Sequence, residues 1–223
     1  MPVGIPRAAF RVPGDEDSSW VDLYNRLYRT RTAFLSGELD NEIGNHILGL
    51  MVFYNIEDPK KEIFFFINSP GGLAGPGLGI YDIMEYIDPD VNTLGLGLVA
   101  SMASLLLAGG EKGKRLGSSN ARVMMHQPAS SYTAKDPAAE VFVDSEEIEE
   151  IREMVLRVYV QRTGKPPRVI NDHLERNIFM SATEAKDYGI IDAIGIKDIL
   201  VRVRDDHPRL DDSPNPATPR ELR

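Results

Sequence analysis

The residue with the clearest chemical potential is Ser101, which lies between an alternating apolar run and a short run of helix formers. Leucine and glycine alternate over residues 94–98 with the period of two that a strand needs. Residues 102–108 favour a helix that ends at the following two glycines. A serine at a helix N-terminus lies beside unpaired backbone N–H groups and a positive dipole, which stabilise an oxyanion. Ser101 is therefore a candidate nucleophile.

Two simpler interpretations of the same stretch stay open. Ser101 is compatible with a plain N-cap at a buried strand-to-helix corner, and this stretch alone favours that interpretation over catalysis. Residues 93–110 also form a run of eighteen residues without a charge, the lower limit for a membrane span. Four glycines and a break in the period of that run argue against a span.

A base and an oxyanion-binding turn are the other two parts that nucleophilic acyl transfer requires. His126 directly follows the apolar run 121–125, and Gly72 lies in a Ser-Pro-Gly-Gly turn after the apolar run 61–68. In a parallel sheet the ends of these strands and Ser101 meet at one edge, where open α/β sheets place their sites. A histidine considered alone is more often a packed side chain than a base. Because three strand ends with suitable residues coincide at one edge, a hydrolase and a non-catalytic corner are equally favoured.

The composition excludes several other classes of function. The chain has 223 residues, of which 42% are hydrophobic and 26% charged, as in one globular domain with tails. A net charge of -9 argues against binding to nucleic acid or to an anionic membrane. Cysteine is absent and no metal-ligand spacing occurs, so we expect no disulfide and no metal site. The first residues resemble neither a signal sequence nor a transit peptide, so we expect the protein to work where it is made.

A repeated order of strand, glycine-rich turn and helix predicts an α/β fold with a parallel sheet and crossover helices. We expect a mobile arm over 1–19, a folded domain over 20–200 and a disordered tail over 201–223. Asp40 is predicted to cap a helix that ends before residue 57. The other predicted helices are 20–32, 78–87, 102–108, 138–162, 167–176 and 182–188. The predicted strands are 61–68, 94–100, 121–125 and 190–192.

Several motifs in the correct order resemble the proteolytic subunit of the Clp protease, in its plastid-encoded form. Ile67-Asn68-Ser69-Pro70-Gly71-Gly72 is similar to the family's oxyanion turn, Ala100-Ser101-Met102 to its nucleophile segment and Met124-Met125-His126-Gln127-Pro128 to its histidine segment. The runs Tyr159-Val160-Gln161-Arg162-Thr163-Gly164-Lys165-Pro166 and Phe179-Met180-Ser181-Ala182-Thr183-Glu184-Ala185 resemble the plastid form in particular. The likeness extends over residues 1 to about 195 and implies a spiral of repeated ββα units with a protruding handle helix at about 127–163.

The resemblance implies the roles of individual residues in a serine endopeptidase. Ser101 would attack the peptide carbonyl, His126 would accept the proton, and the backbone N–H groups of Gly72 and Met102 would hold the oxyanion. The residues implied to line the bound substrate strand are Leu73, Pro128 and Ala129, and those implied to form an ATPase docking pocket are Phe64, Phe66 and Tyr86. A core role for the two phenylalanines is equally compatible with the sequence.

The resemblance also implies partners and a location. Homologous subunits would form heptameric rings that pair into a tetradecamer, and an AAA+ ATPase would feed unfolded proteins into the chamber. The sequence has no Gly-x-x-x-x-Gly-Lys-Ser/Thr motif, so ATP would be used by that partner and this chain would need no cofactor. The implied location is the chloroplast stroma, with no nucleic-acid or membrane partner.

One departure from the family pattern concerns the third catalytic residue. The family's aspartate lies in Glu-Arg-Asp, and the matching run here is Glu175-Arg176-Asn177. Asn177 can orient an imidazole, but it cannot supply the negative charge that stabilises imidazolium. Two alternatives follow: a structural ring subunit with impaired activity, and, less favoured, a relative of the same fold that acts on acyl-coenzyme A. The hydratases of that last group use carboxylates near the oxyanion turn, which residues 73–75 do not supply.

Overall fold

The computed structural model describes residues 4, 6–10, 19–129, 137–195, 199–201 and 203, and the chain divides into two compact units. The first unit comprises residues 1–32 and 197–223. In it, β1 (Arg7–Phe10) pairs antiparallel with β2 (Ser19–Asp22), and α1 (Leu23–Tyr28) follows. The predicted helix over 20–32 is therefore wrong at both ends, because residues 19–22 complete a two-stranded sheet and α1 ends at Tyr28. Of the predicted disordered tail over 201–223, the structure describes only residues 201 and 203, which are helical, and most of the predicted arm over 1–19 lies outside the described residues.

The second unit comprises residues 33–196 and contains a further set of helices and strands, the first of which begins one residue earlier, at Thr32. In chain order they are β3 (Thr32–Ser36), α2 (Asn41–Glu57), β4 (Ile63–Ser69), α3 (Ala74–Tyr86), β5 (Val91–Ala100), α4 (Met102–Gly109), β6 (Arg115–Gly117), β7 (Arg122–Met125), α5 (Ala138–Thr163), α6 (Pro167–Leu174), β8 (Ile178–Ser181), α7 (Ala182–Tyr188) and β9 (Ala193–Ile194).

A mostly parallel sheet of seven strands organises this unit. Its order is β3-β4-β5-β6-β9, and β7 pairs with β5 on one side and with β8 on the other. The pairs β4–β5, β5–β6, β5–β7 and β6–β9 are parallel, whereas β7–β8 is antiparallel. The predicted α/β fold with a mostly parallel sheet is confirmed. The long strand β5 pairs with β6 along its middle and with β7 at its end, so it carries the nucleophile segment to the centre of the sheet edge.

The uncharged run 93–110 is the interior of the unit. Every residue of α4 is buried, and most of β5 is buried as well. Apolar side chains from α2, α3 and the second half of α5 pack around them. Among the residues that the structure describes, no helix is both long and apolar enough to cross a membrane. The run is therefore uncharged because it packs inside the protein.

Helix α5 has two halves with different surroundings. Its second half places Val155, Val158 and Tyr159 in the core, whereas none of the described side chains over 139–151 is buried. Gly164, with a φ of 72°, ends the helix in a left-handed conformation that glycine adopts without steric cost. The described side chains of the first half are therefore exposed or only partly buried, at the position predicted for a handle.

The predicted strand at 190–192 is displaced along the chain. The observed strand β9 begins at Ala193, because Ile190 and Ile191 are core residues and Asp192 forms an ion pair with Arg115. Burial tends to raise the pKa of the Asp192 carboxyl, but hydrogen bonds from Arg115 and from the Gly113 N–H outweigh it and hold that pKa below its ordinary value. The carboxylate thus fixes the chain that leads into β9.

Candidate active site

Ser101 lies at a strained corner between β5 and α4. Its backbone has a φ of 56° and a ψ of -129°, a conformation that costs a non-glycine residue about 1–3 kcal/mol. Its N–H donates to the Met124 carbonyl at 2.9 Å, and its own carbonyl accepts the N–H of Ser104 at 2.9 Å. The Ser101 side chain makes no capping hydrogen bond to the helix. The corner therefore presents the hydroxyl outward, and the N-cap interpretation of its side chain is wrong.

His126 lies directly after β7, next to that corner. Strand β7 runs parallel to β5 with Ala100 opposite Met124, so the residues that follow both strands emerge at the same sheet edge. The Nε2 atom of His126 is 2.9 Å from the Oγ atom of Ser101. This distance lies within the range for hydrogen bonding between a nucleophile and its general base.

The glycine turn after β4 lies against the same corner. The Leu39 N–H donates to the Gly71 carbonyl and the Leu73 N–H donates to the Leu39 carbonyl, both at 2.8 Å. This parallel bridge directs the N–H of Gly72, the residue between them, away from Leu39. A side chain at Gly72 would lie 2.1 Å from the Leu39 carbonyl oxygen, so only glycine fits there. Met102 is the first residue of α4, and its N–H has no partner within the helix.

One cavity of about 320 Å³ brings most of the predicted site residues together. Its lining comprises Pro70, Gly72, Leu73, Ala74, Ser101, Met102, Leu105, Met124, His126, Pro128, Ala129, Val155 and Tyr159. The candidate nucleophile, base and oxyanion donors thus share a space with the residues predicted to line the substrate strand. Apolar side chains form most of the wall, which favours an apolar occupant.

Asn177 lies beside this group without being bonded to it. Strand β8 pairs antiparallel with β7 and the ladder ends at Met125 opposite Ile178, one residue short of His126 and Asn177. The Asn177 side chain is exposed, and among the described residues no hydrogen bond joins it to His126. The register therefore brings the two backbones close, while the described part of the chain shows a Ser–His pair without a third member.

Comparisons with known proteins agree with this geometry. The family model described as Clp protease matches residues 15–198. The chain is 56% identical to an ATP-dependent Clp protease proteolytic subunit of Oenothera elata subsp. hookeri, over 99% of this chain and 91% of the relative. Relatives of the same name in Gossypium barbadense and Nicotiana tabacum are 54% and 53% identical, over 88% of this chain and 100% of theirs.

The chain belongs to the Clp protease family. The predicted resemblance to the proteolytic subunit is therefore confirmed, and the protein is a serine protease subunit of the plastid type.

A buried hydroxyl pair supports the corner of this Clp protease subunit. The Ser104 hydroxyl donates to the Ser101 carbonyl at 2.7 Å, and the Tyr159 hydroxyl lies 2.7 Å from Ser104 Oγ. Because the Ser104 proton is already used, Tyr159 is the donor in the second bond. Burial raises the pKa of the Tyr159 phenol above its ordinary value, so it keeps its proton. Sequence analysis missed this pair: Tyr159 occurred only within a family motif, and no local pattern connects it with Ser104.

The three residues predicted to dock the ATPase have different surroundings in the Clp protease subunit. Phe64 is only 1% exposed, so it offers no docking surface and has the core role that was the alternative. Phe66 stacks on Phe34 with ring centroids 5.3 Å apart. Tyr86, at the end of α3, is 83% exposed. Of the three, Tyr86 alone presents a large apolar surface to solvent.

Proposed function

We propose that this Clp protease subunit is an endopeptidase in which Ser101 is the nucleophile and His126 the general base. The observation that carries the proposal is the distance of 2.9 Å between Ser101 Oγ and His126 Nε2, at a strained corner inside the cavity. Strained backbone conformations cluster at functional sites, where the surrounding structure maintains them. The parallel strands β5 and β7 maintain the strained conformation of Ser101, because β5 leads into Ser101 and β7 leads into His126.

The proposed reaction has two halves. Ser101 Oγ attacks the scissile carbonyl carbon while His126 Nε2 accepts its proton, and the carbonyl oxygen becomes an oxyanion held by the N–H groups of Gly72 and Met102. His126 then donates this proton to the leaving amine as the C–N bond breaks, which leaves an acyl ester on Ser101. Water, deprotonated by His126, attacks the ester, and Ser101 recovers its proton. This chain needs no cofactor for these steps.

The substrate would bind as an extended strand between Leu73 on one side and Pro128 and Ala129 on the other. All three residues line the same cavity as Ser101, so an extended segment bound between them would lie next to its hydroxyl as an added strand. Backbone hydrogen bonds of this kind are largely independent of side-chain identity. Such a site suits unfolded proteins of varied sequence.

The working assembly would comprise two heptameric rings of homologous subunits in the chloroplast stroma, fed by an AAA+ ATPase. The relatives carry the words "ATP-dependent" in their names, whereas this sequence has no Gly-x-x-x-x-Gly-Lys-Ser/Thr motif. A partner that hydrolyses ATP and delivers the substrate reconciles the two observations. The exposed Tyr86 ring is a candidate contact for that partner.

A second candidate function is a structural ring subunit with little activity of its own. Asn177 favours it, because an amide cannot stabilise the imidazolium ion that forms on His126. The lack of a described hydrogen bond between the two side chains favours it as well. The two candidates differ in one measurable property, the reactivity of Ser101.

Labelling with a fluorophosphonate probe tests the proposed function. We expect the full chain to be labelled on the Ser101-containing peptide, and Ser101→Ala to abolish the label. His126→Ala should slow labelling by at least about 100-fold, because general-base assistance contributes about 10²–10⁴-fold. An unlabelled parent chain would instead support the structural-subunit candidate, provided that its circular dichroism spectrum shows it to be folded.

A further inference from the structure

Arg152, in the middle of α5, forms contacts with three other parts of the Clp protease subunit. Its Nε atom donates to Gln127 Oε1 at 2.9 Å, and its Nη2 atom donates to Asn171 Oδ1 at 2.8 Å and to Glu175 Oε1 at 2.7 Å. A fourth group, Glu149 on the preceding turn, lies 3.5 Å from Nη1. One guanidinium group thus connects the helix, the segment after β7 and the chain that leads into β8.

These contacts involve the segment that carries the proposed general base, His126, and the segment that pairs with it. Gln127 directly follows His126, and its N–H donates to the Leu174 carbonyl at 2.9 Å. Glu175 is next to Leu174 and two residues before Asn177. The backbone bond and the Arg152 side chain therefore tie the same two segments together, one carrying His126 and the other Asn177.

The burial of Arg152 shows that it is more than a surface ion pair. Its side chain is only 16% exposed, whereas the side chain of its partner Glu175 is 56% exposed. A single exposed ion pair contributes little to stability. A planar guanidinium that makes several directed hydrogen bonds instead imposes geometry, because its donors have fixed directions. We therefore expect Arg152 to fix the relative positions of the segments that it joins.

We propose that Arg152 is a positioning residue for His126, a role that rests on the proposed function. By holding Gln127 Oε1 and the Glu175 carboxylate, it keeps the imidazole within hydrogen-bond distance of Ser101 Oγ. Lysine would keep the charge but lose the fork that reaches Gln127, Asn171 and Glu175 together. Displacement of a reacting group by about 1 Å costs on the order of 10²-fold in rate.

The test compares Arg152→Met and Arg152→Lys with a matched control, Arg157→Gln, five residues further along the same helix. Arg157 pairs with Glu153 at the surface, and within the described ranges no hydrogen bond or ion pair joins it to the site segments. We expect Arg152→Met to slow fluorophosphonate labelling of Ser101 about 100-fold, Arg152→Lys to slow it by less, and the control to leave it unchanged. For a short fluorogenic peptide, kcat should fall while KM stays within about twofold. Unchanged labelling in a folded Arg152→Met chain would overturn the proposal.

A double-mutant cycle distinguishes positioning from general stabilisation. Gln127→Leu removes the acceptor next to His126, so the pair Arg152→Met with Gln127→Leu should be no slower than the slower single variant. Fully multiplicative effects would mean that Arg152 acts elsewhere.

Hydrogen exchange tests the positioning role of Arg152 independently of labelling. A parent chain that is not labelled would count against the proposed function alone, and the exchange experiment would still test the role of Arg152. Faster exchange over residues 124–128 and 174–178 in Arg152→Met supports positioning, and unchanged exchange there overturns it.

Discussion

At the scale of single residues, the proposed nucleophile and base lie close together, and the position matching the family's third catalytic residue holds asparagine in place of aspartate. Ser101 and His126 are within hydrogen-bond distance at 2.9 Å. Asn177 is one residue beyond the β7–β8 ladder, and its side chain is exposed. In Ser-His-Asp proteases the aspartate both orients the imidazole and stabilises imidazolium, and its change to asparagine lowers kcat about 10⁴-fold. We therefore predict that residue 177 limits the rate of this subunit.

Asn177→Asp should raise the reactivity of Ser101. The ladder register places position 177 beside His126, where a carboxylate would stabilise the positive charge that forms during attack. We expect fluorophosphonate labelling at neutral pH to accelerate at least tenfold, with about 10⁴-fold as the upper limit from the triad proteases. Asp172→Asn, on α6, serves as the control for a general change of charge. Equal labelling rates for Asn177→Asp and the parent chain would show that residue 177 does not limit His126.

At the scale of elements, the corner is maintained by the close approach of two turns. Gly71, with a φ of 96°, lies so near the nucleophile that a side chain there would be 2.6 Å from Ser101 Cβ and 2.7 Å from the Ala100 carbonyl oxygen. The turn after β4 and the turn after β5 can therefore touch only through a bare backbone. We expect this contact to position the Gly72 N–H relative to Ser101 Oγ.

Gly71→Ala should impair catalysis and stability together. The new methyl group has to displace the Ser101 corner, and alanine disfavours the positive φ, at a cost of about 1–3 kcal/mol. We expect kcat for a short peptide to fall about 100-fold. The free energy of unfolding measured in urea should fall by about 1–3 kcal/mol. Gly49→Ala is the matched control, because Gly49 is exposed on α2 with no atom within 4 Å of its added Cβ. It should be neutral or stabilising by up to about 1 kcal/mol. The prediction fails if the two variants behave alike.

How far the sequence predicts these elements depends on whether the cause is local. Helix α2 is predicted with its cap because Asp40 accepts the Ile43 N–H three residues away, at 2.8 Å. The capping box from Ser181 to Glu184 is likewise local, and it is observed. Strands β3, β6 and β8 are short and owe their pairing to distant partners, so no pattern within them predicts it.

The distinction between local and long-range causes also explains which features of the site can be predicted from the sequence. Three strand ends with a serine, a histidine and a glycine turn predict a common sheet edge, and the structure places Ser101, His126 and Gly72 around one cavity. The positive φ of Ser101 and the contacts of Arg152 depend on residues from 19 to 25 positions away or on packing around the corner. Those features become visible only when the chain is folded.

At the scale of the whole molecule, the exposed half of α5 is the feature that a single subunit does not explain. Phe142 and Val143, near its start, are 64% and 62% exposed. Neighbouring apolar side chains on a projecting helix are typical of a surface that another chain covers. We propose that the two rings pair through this half of α5, so that a subunit of the facing ring covers these side chains, and the acidic residues around them would form the polar rim of that contact.

The double variant Phe142→Glu with Val143→Glu should separate the two rings without unfolding the subunit. Burying a phenylalanine contributes about 1.5–3 kcal/mol, and a carboxylate in its place has to be desolvated, so each handle contact would become unfavourable. We expect native mass spectrometry to give two rings for the parent assembly and single rings for the variant, with unchanged circular dichroism. Glu153→Gln, further along α5 on its exposed side, should retain both rings. A variant that still pairs its rings would place the contact elsewhere, and a monomeric parent would refute the ring assembly itself.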